Sequence, residues 1–506
     1  MSYSKYKKRY DFAKTQKDGV ESRLKEAYRY ALPAADVDNY MNTNNNYNEQ
    51  PEVFDDTAII ALQKFANRTQ QQITPSWKTW AMLRAGSDIP EEDKEDANKK
   101  LELITEVIFD HIHHSNFITA SHESHMDLGI STGALICEAG DGIQSSLNFR
   151  SVPMMELIPE KDGKSSWRDF KVEVGKIKEL YPQANLNTTI AQKIQDNPLE
   201  EVNLTEGIIF DPKTRKFNHI LLFPKDNDVL MDLTIDSSPY IIYREQVSAG
   251  KAMGFGRVLQ LLPTIMKLNA YAYYEDCAVI SASTGAYTVR DDGVIDPDNV
   301  RISDPFSLVL VESNDSSNPS LRPLETSARF DVTDVKIKEM QDVINQVMAS
   351  QSFGNIEETP VRTATEMSIR NAEMLKNSQA PMGRLQTEFL ERLLARVVYV
   401  LGQEGKIPPL NINGKELTVK FTSPAARIQD AEELQALQEF RLYMETMPPE
   451  VVAAKFKIEE MPKFVADRTG LPASLMRTKL EEEKAVAGMQ NAMAVGGQAE
   501  QQIAQG

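Results

Sequence analysis

The stretch RTATEMSIRNAEMLKNSQAPMGRLQTEFLERLLARVVYVLGQEG, residues 362–405, constrains the fold more than any other. Its apolar residues recur at helical spacing for about ten turns. Met382, Leu385, Phe389, Leu390, Leu393, Leu394, Val397 and Leu401 form a broad apolar face, so the helix must pack across a large body. Pro381 stands near the middle, where its ring removes one backbone hydrogen bond and crowds the preceding turn. It predicts either a fixed bend or two helices meeting at residues 379–381. Gly402 is placed to end the helix.

The rest of the chain supplies shorter elements. Residues 1–31 read as a charged amphipathic helix closed by Pro33, and an Asn-rich tract follows. A second helix starts with Asp55 or Asp56 as N-cap, and residues 91–129 are helical again. STGALICEAG reads as a buried strand entered through a glycine turn. From Val152 to Tyr243 the pattern shortens to alternating segments such as GIIFDPKTRKFNHILLF, bounded by turn residues. A long helix is expected between Leu259 and Ser281 and another from Asp331 to Ala349, with a small β module between them. NGKELTVKFTSP supplies a late β return before helices resume at Ala425. The fold class predicted is α+β.

A chain of 506 residues has room for roughly three domains. Its 56 Lys and Arg against 74 Asp and Glu leave a net charge of −18, which argues against a monomer that coats nucleic acid electrostatically. Contact with DNA should be loose. Cys137 and Cys277 have no partners at metal spacing, so a disulfide framework is not expected. No secretory signal is visible near the start, and no uncharged apolar run reaches 18 residues, so no membrane partner is expected.

Chemistry-bearing motifs are sparse. His111, His113, His114, His122 and His125 crowd into fifteen residues, and His111/His114 and His122/His125 could each share a helix face. None of the established zinc spacings is present, so packed or solvated helix positions are expected and no metal. EKDGKSS lacks the first glycine of a P-loop, and the glycines of GKAMGFGR do not make a dinucleotide fingerprint. There is no G-x-S-x-G. No catalytic residue and no cofactor is predicted. Trp77 and Trp80 could form a stacking platform for bases, but more often such a pair anchors packing at the end of a helix.

Taken in order, the Trp77 region, STGAL, VPMMELIPEKDG, SPYIIYRE, GFGRVLQLLPTIMKLN, RTATEMSIR and TGLPASLMRTKLEEEK resemble the portal protein family of bacteriophages, the head-to-tail connectors of short-tailed, T7-like phages. Nearly the whole length is covered, and TATE (Thr363 to Glu366) is the most specific piece. The resemblance implies a wing at 1–253, a first stem helix at 254–282, a clip at 283–329 and a second stem helix at 330–349. A tunnel loop at 350–361 would follow, containing Gln351, Ser352, Phe353, Gly354 and Asn355. The kinked helix and wing return strands would occupy 362–424, a helical crown 425–485 and a flexible tail 486–506.

It further implies a non-enzymatic ring, usually of twelve copies, at a capsid vertex of the virion, assembled in the host bacterial cytoplasm. Double-stranded DNA would pass through it during packaging and ejection. The implied partners are the terminase large subunit, tail or adaptor proteins, and the major capsid and scaffolding proteins. Lys336 and Lys338 are the candidates to face the channel, with solvated helix charges or subunit-interface partners as the alternative, and Pro381 is expected to kink the helix leaving the tunnel loop. The alternatives are another ring-shaped head-completion or tail adaptor, and a metal-dependent nucleic-acid enzyme built on the histidines.

Overall fold

The computed structural model describes residues 3–35, 53–284, 287–289, 321–323, 330–349, 381–410, 417–422, 424–444, 452, 456 and 461–469. The chain divides into two units, with the boundaries falling inside helices α1 (Tyr3–Ala31) and α2 (Thr57–Ile73). The larger comprises residues 1–20, 65–256 and 351–506, the smaller residues 21–64 and 257–350. Helices are interspersed among strands that, among the described residues, pair only antiparallel, which makes the fold α+β.

In the larger unit, alternating apolar and polar residues between 157 and 235 form a five-stranded antiparallel sheet. Its strands, in spatial order, are β4 (Leu157–Pro159), β5 (Ser166–Glu173), β6 (Glu201–Asp211), β7 (Lys216–Phe223) and β8 (Asp228–Ile235). Both faces are covered. Tyr6, Tyr10 and Ala13 of α1 pack with Trp167, Ile209, Ile220 and Leu222 on one face. On the other, Phe170, Val172, Leu204, Leu221 and Phe223 meet Ile177, Tyr181 and Ile190 from the short helices α5 (Ile177–Leu180) and α6 (Thr188–Asp196). Asn187 caps α6 by accepting the Ile190 N–H at 2.9 Å.

A second, three-stranded sheet has the order β3 (Leu147–Ser151), β2 (Thr132–Ala139), β9 (Tyr240–Arg244). The expected STGAL strand is β2, and residues 132–137 are buried. Both sheets use one device: a glycine directly opposite a large aromatic ring. Gly207 pairs with Trp167 and Gly133 with Tyr243. A Cβ at Gly207 would lie 2.4 Å from the Trp167 ring, and one at Gly133 would lie 2.6 Å from the Tyr243 ring. The ring lies across the glycine and fills the missing side-chain volume.

The helical pattern at 91–129 resolves into α3 (Glu91–His113) and α4 (Phe117–Ile130), separated by residues 114–116. α3 packs under β1 (Ala81–Ala85), which pairs with the distant β12 (Leu417–Phe421). The expected tryptophan anchor is one residue rather than two. Trp80 is buried and meets Phe109 edge to face, whereas Trp77 is exposed.

The smaller unit is built on α7 (Arg257–Thr284) and α8 (Phe330–Ala349), the two long helices expected there. Between them β10 (Tyr287–Val289) pairs with β11 (Leu321–Pro323).

Residues 381–403 form α9, followed in sequence by β12, α10 (Pro424–Met444) and α11 (Met461–Thr469). Leu385, Phe389, Leu390, Leu393, Leu394, Val397 and Leu401 are all buried, as the periodicity predicts. The expected bend at Pro381 falls at the first described residue of α9, and the residues before it lie outside the described set. The irregularity the structure does describe is a π turn at Gln386–Leu390. The helix ends at Gln403, one residue past Gly402, and the glycine that stops it is Gly405. Gly405 takes φ +70°, Lys406 N–H bonds the Leu401 carbonyl at 3.0 Å, and Gly405 N–H bonds Gly402 at 3.2 Å. That is a Schellman stop, and it needs its left-handed glycine after the last turn, not within it.

Candidate assembly surfaces

Helices α7 and α8 are antiparallel because the start of one is tied to the end of the other. Arg257, buried, donates from Nη1 to the carbonyls of Val347 at 3.0 Å and Met348 at 2.8 Å. A guanidinium there satisfies two of the carbonyls a helix C-terminus leaves open and opposes its partial negative charge. Residues 53–56 cross both helices. Phe54 N–H donates to Asn269 Oδ1 at 2.7 Å, Asp55 accepts from Gln341 at 2.8 Å, and Phe54 lies 4.8 Å from Tyr273. Asp55 also caps α2 by accepting the Thr57 N–H at 2.9 Å.

Burial is uneven along the pair. Val258, Leu261, Leu262, Ile265 and Leu268 of α7 are buried, as are Ile344 and Met348 of α8. Beyond Ala270 the large apolar side chains face outward: Tyr273, Tyr274, Val279 and Ile280 on α7, Val335 and Val343 on α8. Tyr274 is 66% exposed and Ile280 is 61% exposed. Tyr273, Cys277 and Ile280 fall at i, i+4 and i+7, on one helix face. Exposed large apolar side chains on both helices are the kind of surface that marks an interaction site.

Charge on α8 is weakly acidic, with Asp331, Asp334, Glu339 and Asp342 against Lys336 and Lys338. Both lysines are exposed, but two residues apart on a helix they point to different faces. Lys336 also pairs with Glu339 at 2.7 Å. The structure therefore does not bring the two lysines together. Glu275 and Asp334 instead form a carboxyl pair between the helices; the hydrogen bond to Asp334, then burial and like charge, raise the Glu275 pKa.

In the larger unit α9 is fixed by charge as well as by its apolar face. Arg244 of β9 makes a two-point contact with Glu388, at 3.0 and 2.7 Å, and donates to the Ala252 carbonyl. Arg392 donates to the Gly163 and Ile242 carbonyls, and Arg396 to those of Cys137 and Ser237. Glu388, Arg392 and Arg396 are spaced four apart, a polar stripe on an otherwise apolar helix. That spacing is the signal by which the sequence could have revealed them.

The expected tunnel-loop residues Gln351, Ser352, Phe353, Gly354 and Asn355 lie outside the described residues. The five histidines go to different environments. His114 is exposed beside Asp110, whereas His125 is fully buried, its Nδ1 2.9 Å from the Tyr243 hydroxyl and its ring 5.5 Å from Phe389. Burial lowers the His125 pKa to about 3, so it is a neutral core residue. Among the described residues no three histidine, cysteine or carboxylate groups converge as metal ligands. Nor is any described helix long and apolar enough to cross a membrane.

A family model described as bacteriophage head to tail connecting protein matches residues 3–476. The chain belongs to this family. No curated protein matches the connector in sequence. Among solved structures, the neck of an empty GTA particle computed with C6 symmetry is similar at 11% identity and a TM-score of 0.36, over 83% of this chain and 90% of that one.

As a head-to-tail connector the protein is a component of a bacteriophage virion, assembled with other head and tail components. The connector buries Arg244 and Glu388 with little exposure but leaves α7 and α8 apolar toward water. Sequence reading had singled out the histidines and missed the arginines that clamp α9. Histidines clustered in sequence need not converge in space, and those clamping contacts span about 150 to 260 residues.

Proposed function

We propose that the connector is a portal: a ring of identical copies, twelve by family resemblance, at one capsid vertex, through which double-stranded DNA enters and leaves. In this reading α7 and α8 are the stem and residues 283–329 the clip. The terminase binds the ring during packaging and tail or adaptor proteins bind it afterwards. The ring forms no covalent bonds with its cargo, and its work is positional.

The observation that carries the reading is the exposed apolar face of α7 and α8. Tyr273, Cys277 and Ile280 line one face of α7, and Tyr274, Val279 and Val335 are exposed as well, which is more large apolar surface than a helix pair usually leaves in water. In a ring, each face meets a different face of the next copy, so closure by rotation covers all of them. The weakly acidic α8 suits a conduit. Few counterions are released when DNA passes such a wall, so it slides without being gripped.

Averaged particle images of the purified protein test the proposal. They should show rings with a central opening wide enough for a duplex. Tyr274→Asp combined with Ile280→Asp should give folded chains that do not close into rings. Rings unaffected by the double substitution, or a wild-type protein that is monomeric at every concentration, would overturn it.

A further inference from the structure

The chain is acidic, yet one end of the five-stranded sheet is not. The register Ser166 opposite Ile208 places the β4–β5 turn, residues 160–165, beside the β6–β7 turn, residues 211–216. The carboxylates Glu160, Asp162, Asp211 and Asp236 are charged but outnumbered here by Arg9, Lys161, Lys164, Lys213, Arg215 and Lys216. Glu160 accepts from Arg9 and from the Trp167 indole, and Asp162 from the Ser165 hydroxyl. Asp211 binds the Lys213 N–H and the Thr214 hydroxyl of its own turn, and Asp236 pairs with Lys216 at 2.8 Å. Lys161, Lys164, Lys213 and Arg215 remain exposed, and no carboxylate pairs with their charged ends among the described residues.

Both turns are held rigidly. Arg215 adopts φ +59° and Gly163 φ +65°. The Gly163 carbonyl is held by Arg392 at 2.7 Å, and the Lys164 ammonium lies 4.3 Å from the Phe210 ring centroid. Left-handed backbone at an arginine costs about 1 kcal/mol or more and persists only where its surroundings enforce it. The two tips are two strand spacings apart, about 10 Å.

We infer that this end of the sheet binds the phosphate backbone of double-stranded nucleic acid through Lys161, Lys164, Lys213 and Arg215. Two fixed rows of cations fit a line of phosphates. No large apolar side chain is exposed at these tips, whereas a protein-docking surface has a desolvated apolar or aromatic centre. The contact reads no sequence, because none of these groups is set to reach base edges.

The test is fluorescence anisotropy of a labelled duplex of about 30 base pairs with the full chain, across a series of salt concentrations. Lys213→Gln with Arg215→Asn removes two charges, and asparagine tolerates the left-handed backbone. This pair should weaken binding roughly tenfold at low salt and reduce the salt slope by about two. Lys161→Gln with Lys164→Gln should do the same and guards against misfolding of the first variant. Lys176→Gln with Lys225→Gln, at the other end of the sheet, should change neither quantity. Equal effects from both ends, unchanged binding in the tip variants, or capture of polyglutamate in preference to duplex would overturn the assignment.

Discussion

The sheet region around Glu206 and the α7–α8 pair handle charge and apolar surface in opposite ways. In the sheet, Glu206 is buried and bonded to His219 at 2.6 Å and to the Tyr240 hydroxyl at 2.5 Å, with Arg168 directly opposite it on β5. Every partner comes from the same chain. In the helix pair, two carboxyl groups meet at the surface and tyrosine, isoleucine and valine face water. The first region is complete in one copy; the second, in the proposed ring, is completed by the neighbouring copies. Oligomeric proteins can thus be read by asking which of their surfaces a single chain has already satisfied.

The largest expected effect lies in the sheet. Glu206→Ala leaves His219 and the Tyr240 hydroxyl without their buried partner and takes one of two nearby carboxylates from Arg168, which keeps Glu156; it should cost about 3–5 kcal/mol in urea unfolding. A loss under about 1 kcal/mol would show that the network is not what completes this region. Next is the glycine opposite a ring. Gly133→Ala puts a Cβ against Tyr243 and should cost about 1–3 kcal/mol, with the loss reduced when Tyr243 is also cut to alanine.

The two carboxylates should respond to pH with opposite sign. Burial raises the Glu206 pKa, but hydrogen bonds from His219 and Tyr240 and the charge of Arg168 more than offset it, leaving it lowered. Its contribution is fully present above the ordinary glutamate range, about 4.3, and is lost as pH falls through its own lower value. Glu275 is raised, so it opposes folding above its raised value, and that cost fades as pH falls to the ordinary range. Glu206→Gln should therefore flatten the loss of stability in acid, while Glu275→Gln should slightly stabilise the chain near neutral pH. Thermal melts across pH 3 to 8, taken with both variants, check this. Smallest of all is Lys336→Gln, which removes one exposed pair with Glu339 and should leave the unfolding midpoint unchanged.

Much of the architecture was legible because it follows from periodicity. The apolar faces of α7, α8 and α9 and the buried β2 strand repeat at 3.6 or 2 residues, and local sequence carries that signal. The end of α9 falls within one residue of the expected Gly402, but the glycine that stops it is Gly405, since the two look alike in sequence and only the backbone angle separates them. The pairing of β1 with β12 joins residues more than 300 apart, and nothing local specifies it. The clamp of Arg244 on Glu388 was hidden for the same reason. Lys336 and Lys338 are close in sequence but point to different faces of α8, which position along the chain alone does not reveal.

The central claim is that one face of α7 is open in a single copy and covered in the assembly. Cys277 on that face is exposed, and Cys137 is buried with its thiol pushed up to about 12. Maleimide labelling of the dissociated chain should modify Cys277 quickly and spare Cys137, and in the assembled protein Cys277 should be protected as well. Equal labelling of Cys277 before and after assembly would contradict the account.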